Sequence, residues 1–230
     1  MLRLEQLRIV QHSFTLEADL TVETSRKVAV IGPSGAGKST LLSAIGGFLP
    51  SVSGKVFLNG DDISDAPPGN RALAMLFQDN NLFPHLTVEQ NVSIGLKPSL
   101  RLTKEERSIV LHAITRVGLA GMEKRKPGAL SGGQLSRAAL ARVLVQNRSL
   151  ILLDEPFAAL GPALRMEMLD LVRALVEETG ATLLMITHSP EDVARIADDV
   201  IFVEGGRAHA PEPAAALMED PPPALKAYLG

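Results

Sequence analysis

Cysteine is absent from the 230-residue chain, which excludes disulfides, thiolate metal sites and cysteine nucleophiles. No run reaches about 18 consecutive apolar residues, the length that reads as a membrane-spanning helix. The start, Met1-Leu-Arg-Leu-Glu, carries an acid at Glu5, so it lacks the uninterrupted apolar core of a secretion signal. A basic excess is missing too. Lys+Arg 23 against Asp+Glu 26, a net charge of -3, argues against a general nucleic-acid binder, which usually carries a basic face. Internal repeats are also lacking. These absences lead us to expect a protein that stays in the cytoplasm or is held against a membrane by a partner. What remains is an ordinary folded composition, 46% hydrophobic and 21% charged, in a chain long enough to bury a substantial core as one domain or as one domain with an inserted lobe.

Apolar and polar residues alternate over 2–10 and 16–22, the pattern of strands with one wet face in an antiparallel layer. Lys27–Ile31 is a short β-branched run that ends in Gly32-Pro33-Ser34-Gly35, and a helix is expected from Lys38 to Gly46. Residues 55–59 and 72–77 read as strands, with Asn59-Gly60 as a turn signal. From Asp79 to Gly128 the periods become helical, including a charged helix over 103–117. Then follow a helix over 133–146, a buried strand at 150–153, a helix over 164–179, a strand at 182–187, a helix over 190–197 and a strand at 200–203. Strands separated by helices of about 10 to 15 residues imply an α/β fold with a mainly parallel sheet. The expected plan is a core of residues 1–78 and 150–210 with an antiparallel β layer, an inserted helical subdomain at about 79–149, and an Ala- and Pro-rich tail at 211–230, only partly ordered.

Gly32-Pro33-Ser34-Gly35-Ala36-Gly37-Lys38-Ser39 matches the phosphate-loop pattern G-x-x-x-x-G-K-[ST] between a strand and a helix, with Thr40 next in line. Glycines let backbone N–H groups turn toward phosphates, and the helix N-terminus adds partial positive charge. Lys38 would reach the β and γ phosphates, and Ser39 would bind Mg²⁺. The apolar run Leu150–Leu153 ends in Asp154-Glu155 at the ligand-collecting end of a parallel sheet. Asp154 would hold the Mg²⁺ shell, and Glu155 would orient or deprotonate the attacking water. Leu130-Ser131-Gly132-Gly133-Gln134 precedes a helix, so Ser131 reads either as an N-cap or as part of a second anion site.

The order of phosphate loop, Gln78, Leu-Ser-Gly-Gly-Gln, Asp-Glu and His188 resembles the ATP-binding cassette family across essentially the whole chain. The resemblance implies a phosphate-loop ATPase core, ATP and Mg²⁺ as ligands, and hydrolysis by two copies paired head to tail. Ser131, Gly132, Gly133 and Gln134 of one copy would then meet the ATP on the other copy's phosphate loop. It further implies that Gln78 senses Mg²⁺ and water, that His188 contacts the γ-phosphate and holds Glu155, and that integral membrane permease subunits, with a periplasmic solute-binding protein acting through them, are the partners. Asn80 to Val92 is the stretch where a permease helix would dock; Thr87 to Asn91 also reads as a simple capped helix. The expected location is the cytoplasmic face of the inner membrane. Three positions depart from the family pattern or blur it. Gly161 stands where an Asp is usual, which would weaken coupling between the two ATP sites, and Leu135 stands where many relatives have a charge. The adenine-stacking ring is His12 or Phe14, with core packing an equal role for Phe14.

The short length and the run Met75-Leu-Phe-Gln-Asp-Asn-Asn-Leu-Phe-Pro-His-Leu86 look most like the ATP-binding subunits of bacterial thiamine importers; ferric iron, sulfate and polyamine importers are the alternatives within the family. A non-transport ATPase acting on DNA or ribosomes would bring coiled-coil insertions, zinc cysteines or a second cassette, none of which is present. An inactive regulatory dimer finds support only in Gly161 and is opposed by intact Lys38, Asp154, Glu155 and His188.

Overall fold

The computed structural model describes residues 1–79, 81–223, 225 and 226. Two long strands open the chain, β1 (Leu2–Gln11) and β2 (Phe14–Val22), joined by a tight turn at His12-Ser13. They are followed by β3 (Lys27–Ile31), α1 (Lys38–Ile45), β4 (Ser53–Leu58), β5 (Asp61–Asp62) and β6 (Leu73–Leu76). Next come three helices, α2 (Val88–Leu96), α3 (Lys104–Arg116) and α4 (Gly132–Leu144). The chain then alternates β7 (Leu150–Asp154), α5 (Pro162–Thr179), β8 (Thr182–Ile186), α6 (Pro190–Ile196) and β9 (Asp199–Glu204). It closes with the two-residue strands β10 (Arg207–Ala208) and β11 (Glu212–Pro213) and with α7 (Ala214–Glu219).

Among the described residues the strands join in the order β5-β4-β1-β2-β10-β9-β3-β8-β7-β6, with β11 added beside β9. The stretch β9-β3-β8-β7-β6 is parallel throughout; β1 and β2 pair antiparallel as the alternating pattern predicts, and β4 pairs antiparallel with β1. Strand residues point alternately to opposite faces. Leu150 and Leu152 of β7 therefore join the core under α1 and the antiparallel layer, while Ile151 and Leu153 join the core shared with α2 to α5. Both faces of these strands are covered, which is why they read as unbroken apolar runs.

The three helices between β6 and β7 owe their starts to local chemistry. Thr87 with Gln90, Thr103 with Glu106 and Ser131 with Gln134 each form a reciprocal capping box, worth about 1 kcal/mol apiece. Fully buried Asn91 fastens the preceding loop: its amide accepts from Phe83 N and donates to the carbonyls of Phe83, Leu86 and Thr87.

The tail, expected to be only partly ordered, makes defined contacts over its described residues. Glu212–Pro213 pairs with β9, and Ala214, Leu217 and Leu225 are buried against Ala29 and Ile31 of β3. Alternating Ala and Pro hid three apolar contacts that close one face of the sheet. Residues 224 and 227–230 of that tail lie outside the described residues.

Arg71 is 4% exposed and, among the described residues, has no carboxylate as a hydrogen-bond partner. It donates to the carbonyls of Ala44 and Ile45 at the C-terminal end of α1, at 2.9 and 2.7 Å, and to those of Ser64 and Ala66. Burial lowers its pKa, but a guanidinium stays charged in proteins, and it meets the negative end of the helix dipole. Arg71→Met should cost about 2–4 kcal/mol, because buried carbonyls lose charge-assisted donors; urea unfolding midpoints measure it, and a loss below ~1 kcal/mol would show that water replaces the guanidinium.

Candidate functional site

The turn from β3 into α1 can be built only with glycine at its two ends. A Cβ on Gly32, at φ 148°, would lie 2.0 Å from the Val203 carbonyl oxygen. On Gly37, at φ 105°, it would lie 2.7 Å from the ring of Phe14. Ser34 and Gly35 lie exposed on the loop and Ala36 is buried beneath it. Lys38, at the first position of α1, is 5% exposed and donates to Gly32 O at 2.7 Å and Pro33 O at 2.9 Å. Burial lowers its pKa, with Glu155 and Asp154 opposing the shift. Thr40 Oγ1 donates to Gln11 Oε1 at 3.4 Å.

Asp154, the last residue of β7, is buried, and Ser39 Oγ donates to its Oδ1 at 3.1 Å. Burial raises its pKa, against the Ser39 hydrogen bond. Glu155 takes a left-handed backbone, φ 45°, uncommon for any residue but glycine, which turns it out of the strand direction. Its Oε1 lies 2.5 Å from His188 Nε2. That pairing is enforced by register: Val30 and Asp154 both pair with Ile186, and Leu76 pairs with Leu153. The ends of β3, β8, β7 and β6 are thus level, so the phosphate loop, His188, Asp154-Glu155 and Gln78 follow one another along one edge. Gln78 is exposed beyond β6.

A cavity of about 390 Å³ is lined by Gln11, His12, Phe14, the loop residues Ser34, Gly35 and Gly37, and by Lys38, Ser39, Thr40, Glu155 and His188. His12 is exposed at the turn between β1 and β2, whereas Phe14 packs against Gly37 and the core beneath. Both rings line the cavity, His12 from an exposed turn and Phe14 from a half-buried position against the loop. Ser131, Gly132, Gly133 and Gln134 do not line this cavity. Ser131 and Gly132 are exposed at the start of α4, the side chains of Ser131 and Gln134 bond to each other's backbone N–H, and a Cβ on Gly133 would strike Leu164 at 2.3 Å. Gly161 is the uncapped first residue before α5, with open space where a side chain would go.

Among the described residues no group of three His, Cys, Asp or Glu could hold a metal. Ser39 and Asp154 offer two hard oxygens side by side, which fits Mg²⁺ completed by phosphate and water oxygens rather than a protein cage. Three residues that the sequence did not single out stand directly behind the Glu155–His188 pair: Thr187, Asp192 and Arg165. Thr187 and Asp192 stand close to His188 in sequence, but no spacing rule links Arg165 to either.

The sequence pattern of the ABC transporter family matches residues 16–158. Over all 230 residues, and the full length of both chains, the sequence is 58% identical to the thiamine import ATP-binding protein ThiQ of Ruegeria sp. (strain TM1040). It is 56% identical to the protein of that name from Cereibacter sphaeroides, again over the full length of both. The fold superposes, with a TM-score of 0.81 and 29% identity, on a dimeric ATP-binding cassette in a post-hydrolysis state bound to ADP and Pi, covering 93% of this chain and 99% of the other.

A carboxyl whose folded-state pKa is raised favours folding below its ordinary value and withdraws that support as pH climbs through the folded value. At neutral pH ionised Asp154 therefore opposes folding. Without nucleotide, Asp154→Asn should match or exceed the parent Tm at pH 7 and lose that advantage near pH 4; a clearly lower Tm at pH 7 would contradict this.

Proposed function

The chain belongs to the ABC transporter family, and on that premise we propose that it is the ATP-hydrolysing subunit of a bacterial thiamine importer. The observation that carries the ATPase reading is the convergence of Lys38, Ser39, Asp154, Glu155 and His188 on the level ends of three neighbouring strands. Thiamine enters from the full-length likeness to the two relatives named for its import.

ATP lies with its phosphates on the backbone N–H groups of 32–39 and the N-terminus of α1. Lys38, whose ammonium leaves the carbonyls of Gly32 and Pro33 for the β and γ phosphates, regains the charge neutralisation that its burial withholds. Mg²⁺ held by Ser39 and Asp154 would neutralise charge on the β and γ oxygens. Glu155 accepts a proton from the attacking water, whose oxygen bonds to the γ phosphorus while the bond to the bridging oxygen breaks; ADP and phosphate leave. His188 holds the Glu155 carboxylate in place, and Gln78 reads the γ-phosphate end from the next strand. Such a loose transition state needs positioning and electrostatics more than covalent help.

Within one chain the cavity lacks Ser131–Gln134, which supports a head-to-tail pair in which a second copy supplies them. The exposed start of α4 then adds its partial positive charge to the γ-phosphate from across the interface. Among the described residues no helix is long and apolar enough to cross a membrane, so the transport path belongs to permease subunits, with the chain bound at the cytoplasmic face and the periplasmic binding protein acting through them. The permease would dock beside the Gln78 loop, where exposed Phe48 meets Phe77 edge to face at 5.1 Å and exposed Phe83 stands in the loop fastened by Asn91. Asn80, the first residue of that stretch, lies outside the described residues.

Glu155→Gln should bind ATP, elute as a dimer in size-exclusion chromatography and lose at least about 100-fold in turnover; hydrolysis at the parent rate would remove Glu155 as the base. In cells lacking the gene, uptake of labelled thiamine should return with the parent sequence and not with Glu155→Gln. Undiminished uptake without the gene would leave the ATPase and exclude thiamine as its cargo.

A further inference from the structure

We infer that Thr187, Asp192 and Arg165 form a positioning unit that sets His188 against Glu155 and ties that setting to the start of α5; the inference rests on the role given above to His188. Thr187 and Asp192 are each 3% exposed. The Thr187 hydroxyl donates to Asp192 Oδ2. It accepts from Ser189 N at 3.2 Å and from Arg165 Nη2 at 3.3 Å. A threonine hydroxyl has one donor and two acceptor positions, so all three are used and its orientation is fixed. Arg165 Nη2 also donates to Asp192 Oδ2 at 2.5 Å, which closes the triangle.

The residues on both sides of His188 are thus held by one oxygen atom. Thr187 N further donates to Val30 O of β3 at 3.3 Å, so the backbone entering His188 is tied to the strand that feeds the phosphate loop. Arg165 stands in the first turn of α5, its N–H on Gly161 O at 2.9 Å. A closed circuit results: from Glu155 along the chain to Arg165, across to Thr187, on to His188, and back to Glu155 through the 2.5 Å contact. It surrounds a cavity of about 260 Å³. A shift at the start of α5 is therefore passed to His188 through a guanidinium.

Stability alone is a poor account of this cluster. Asp192 Oδ1 and Arg165 Nε are buried without a hydrogen-bond partner among the described residues. A half-satisfied buried ion pair contributes little that well-packed apolar groups would not. What it supplies is one geometry, and catalytic geometry is sensitive to displacements of about 1 Å.

The test uses the full-length chain with the membrane partner that co-purifies with it. Thr187→Val keeps the shape and deletes the hydroxyl; kcat should fall about 10-fold or more while KM for ATP and Tm stay near the parent, and Thr187→Ser should stay within about 2-fold. Asp192→Asn, which keeps the volume, should reproduce the kcat loss and carries the test if Thr187→Val does not fold. In a His188→Ala background Thr187→Val should cost nothing further, since both act through one side chain. Parent kcat in both Thr187→Val and Asp192→Asn, with His188→Ala impaired, overturns the positioning role alone. Equal loss of kcat, ATP affinity and Tm in these variants also overturns it. His188→Ala at the parent rate removes the role of His188 and this inference with it.

Discussion

Parallel hydrogen bonding along β3, β8, β7 and β6 is the constraint on which everything else hangs. Each strand arrives from a different part of the chain, yet the shared register brings four ends to one level. A one-residue slip of β7 would turn Asp154 and Leu153 to opposite faces, burying a carboxylate among α2 to α5 and sending a leucine to Ser39. The apolar cost of that slip, about 1.5–3 kcal/mol for each misplaced large side chain, protects the site's geometry far more strongly than any hydrogen bond within it. Chemistry here is positioned by oil.

Much of this could be read before any coordinates. Lys27–Ile31 and Leu150–Leu153 are bounded apolar runs covered on both faces, so their composition alone marks them as central strands. The phosphate loop is legible because its glycines are required by backbone shape. Contacts made across the sheet were less accessible. Gln78, Glu155 and His188 could be named in order, but the 2.5 Å approach of Glu155 to His188 depends on the left-handed turn at Glu155, which no neighbouring residue announces. That Phe14 packs under Gly37 while still lining the cavity was likewise not legible. In the tail, Ala214, Leu217 and Leu225 are too sparse to show a period, so their burial beside Ala29 and Ile31 of β3 was not legible.

Charge divides unevenly between the two halves of the proposed catalytic arrangement. Lys38 and Asp154 are both held where solvation is poor, each moved toward its neutral form by burial, and each is relieved when a phosphate or a cation arrives. Ser131–Gln134, by contrast, sit on an exposed helix start already satisfied by their own capping box. One half is primed by desolvation, the other by a helix end left facing outward. In the proposed head-to-tail pair each half supplies what the other lacks, which is the electrostatic logic of assembling a site from two surfaces.

Arg71 gives α1 a property that its eight residues alone would not have. The phosphate loop occupies one end of the helix and a buried guanidinium occupies the other, about 12 Å away, so an arriving anion and a resident cation share a single dipole. Linkage then runs in both directions: whatever bound phosphate adds to the hold of Arg71 on the carbonyls of Ala44 and Ile45, that hold returns to the phosphate. Nucleotide affinity and the cohesion of the loop at the other end of α1 become two readings of one free energy.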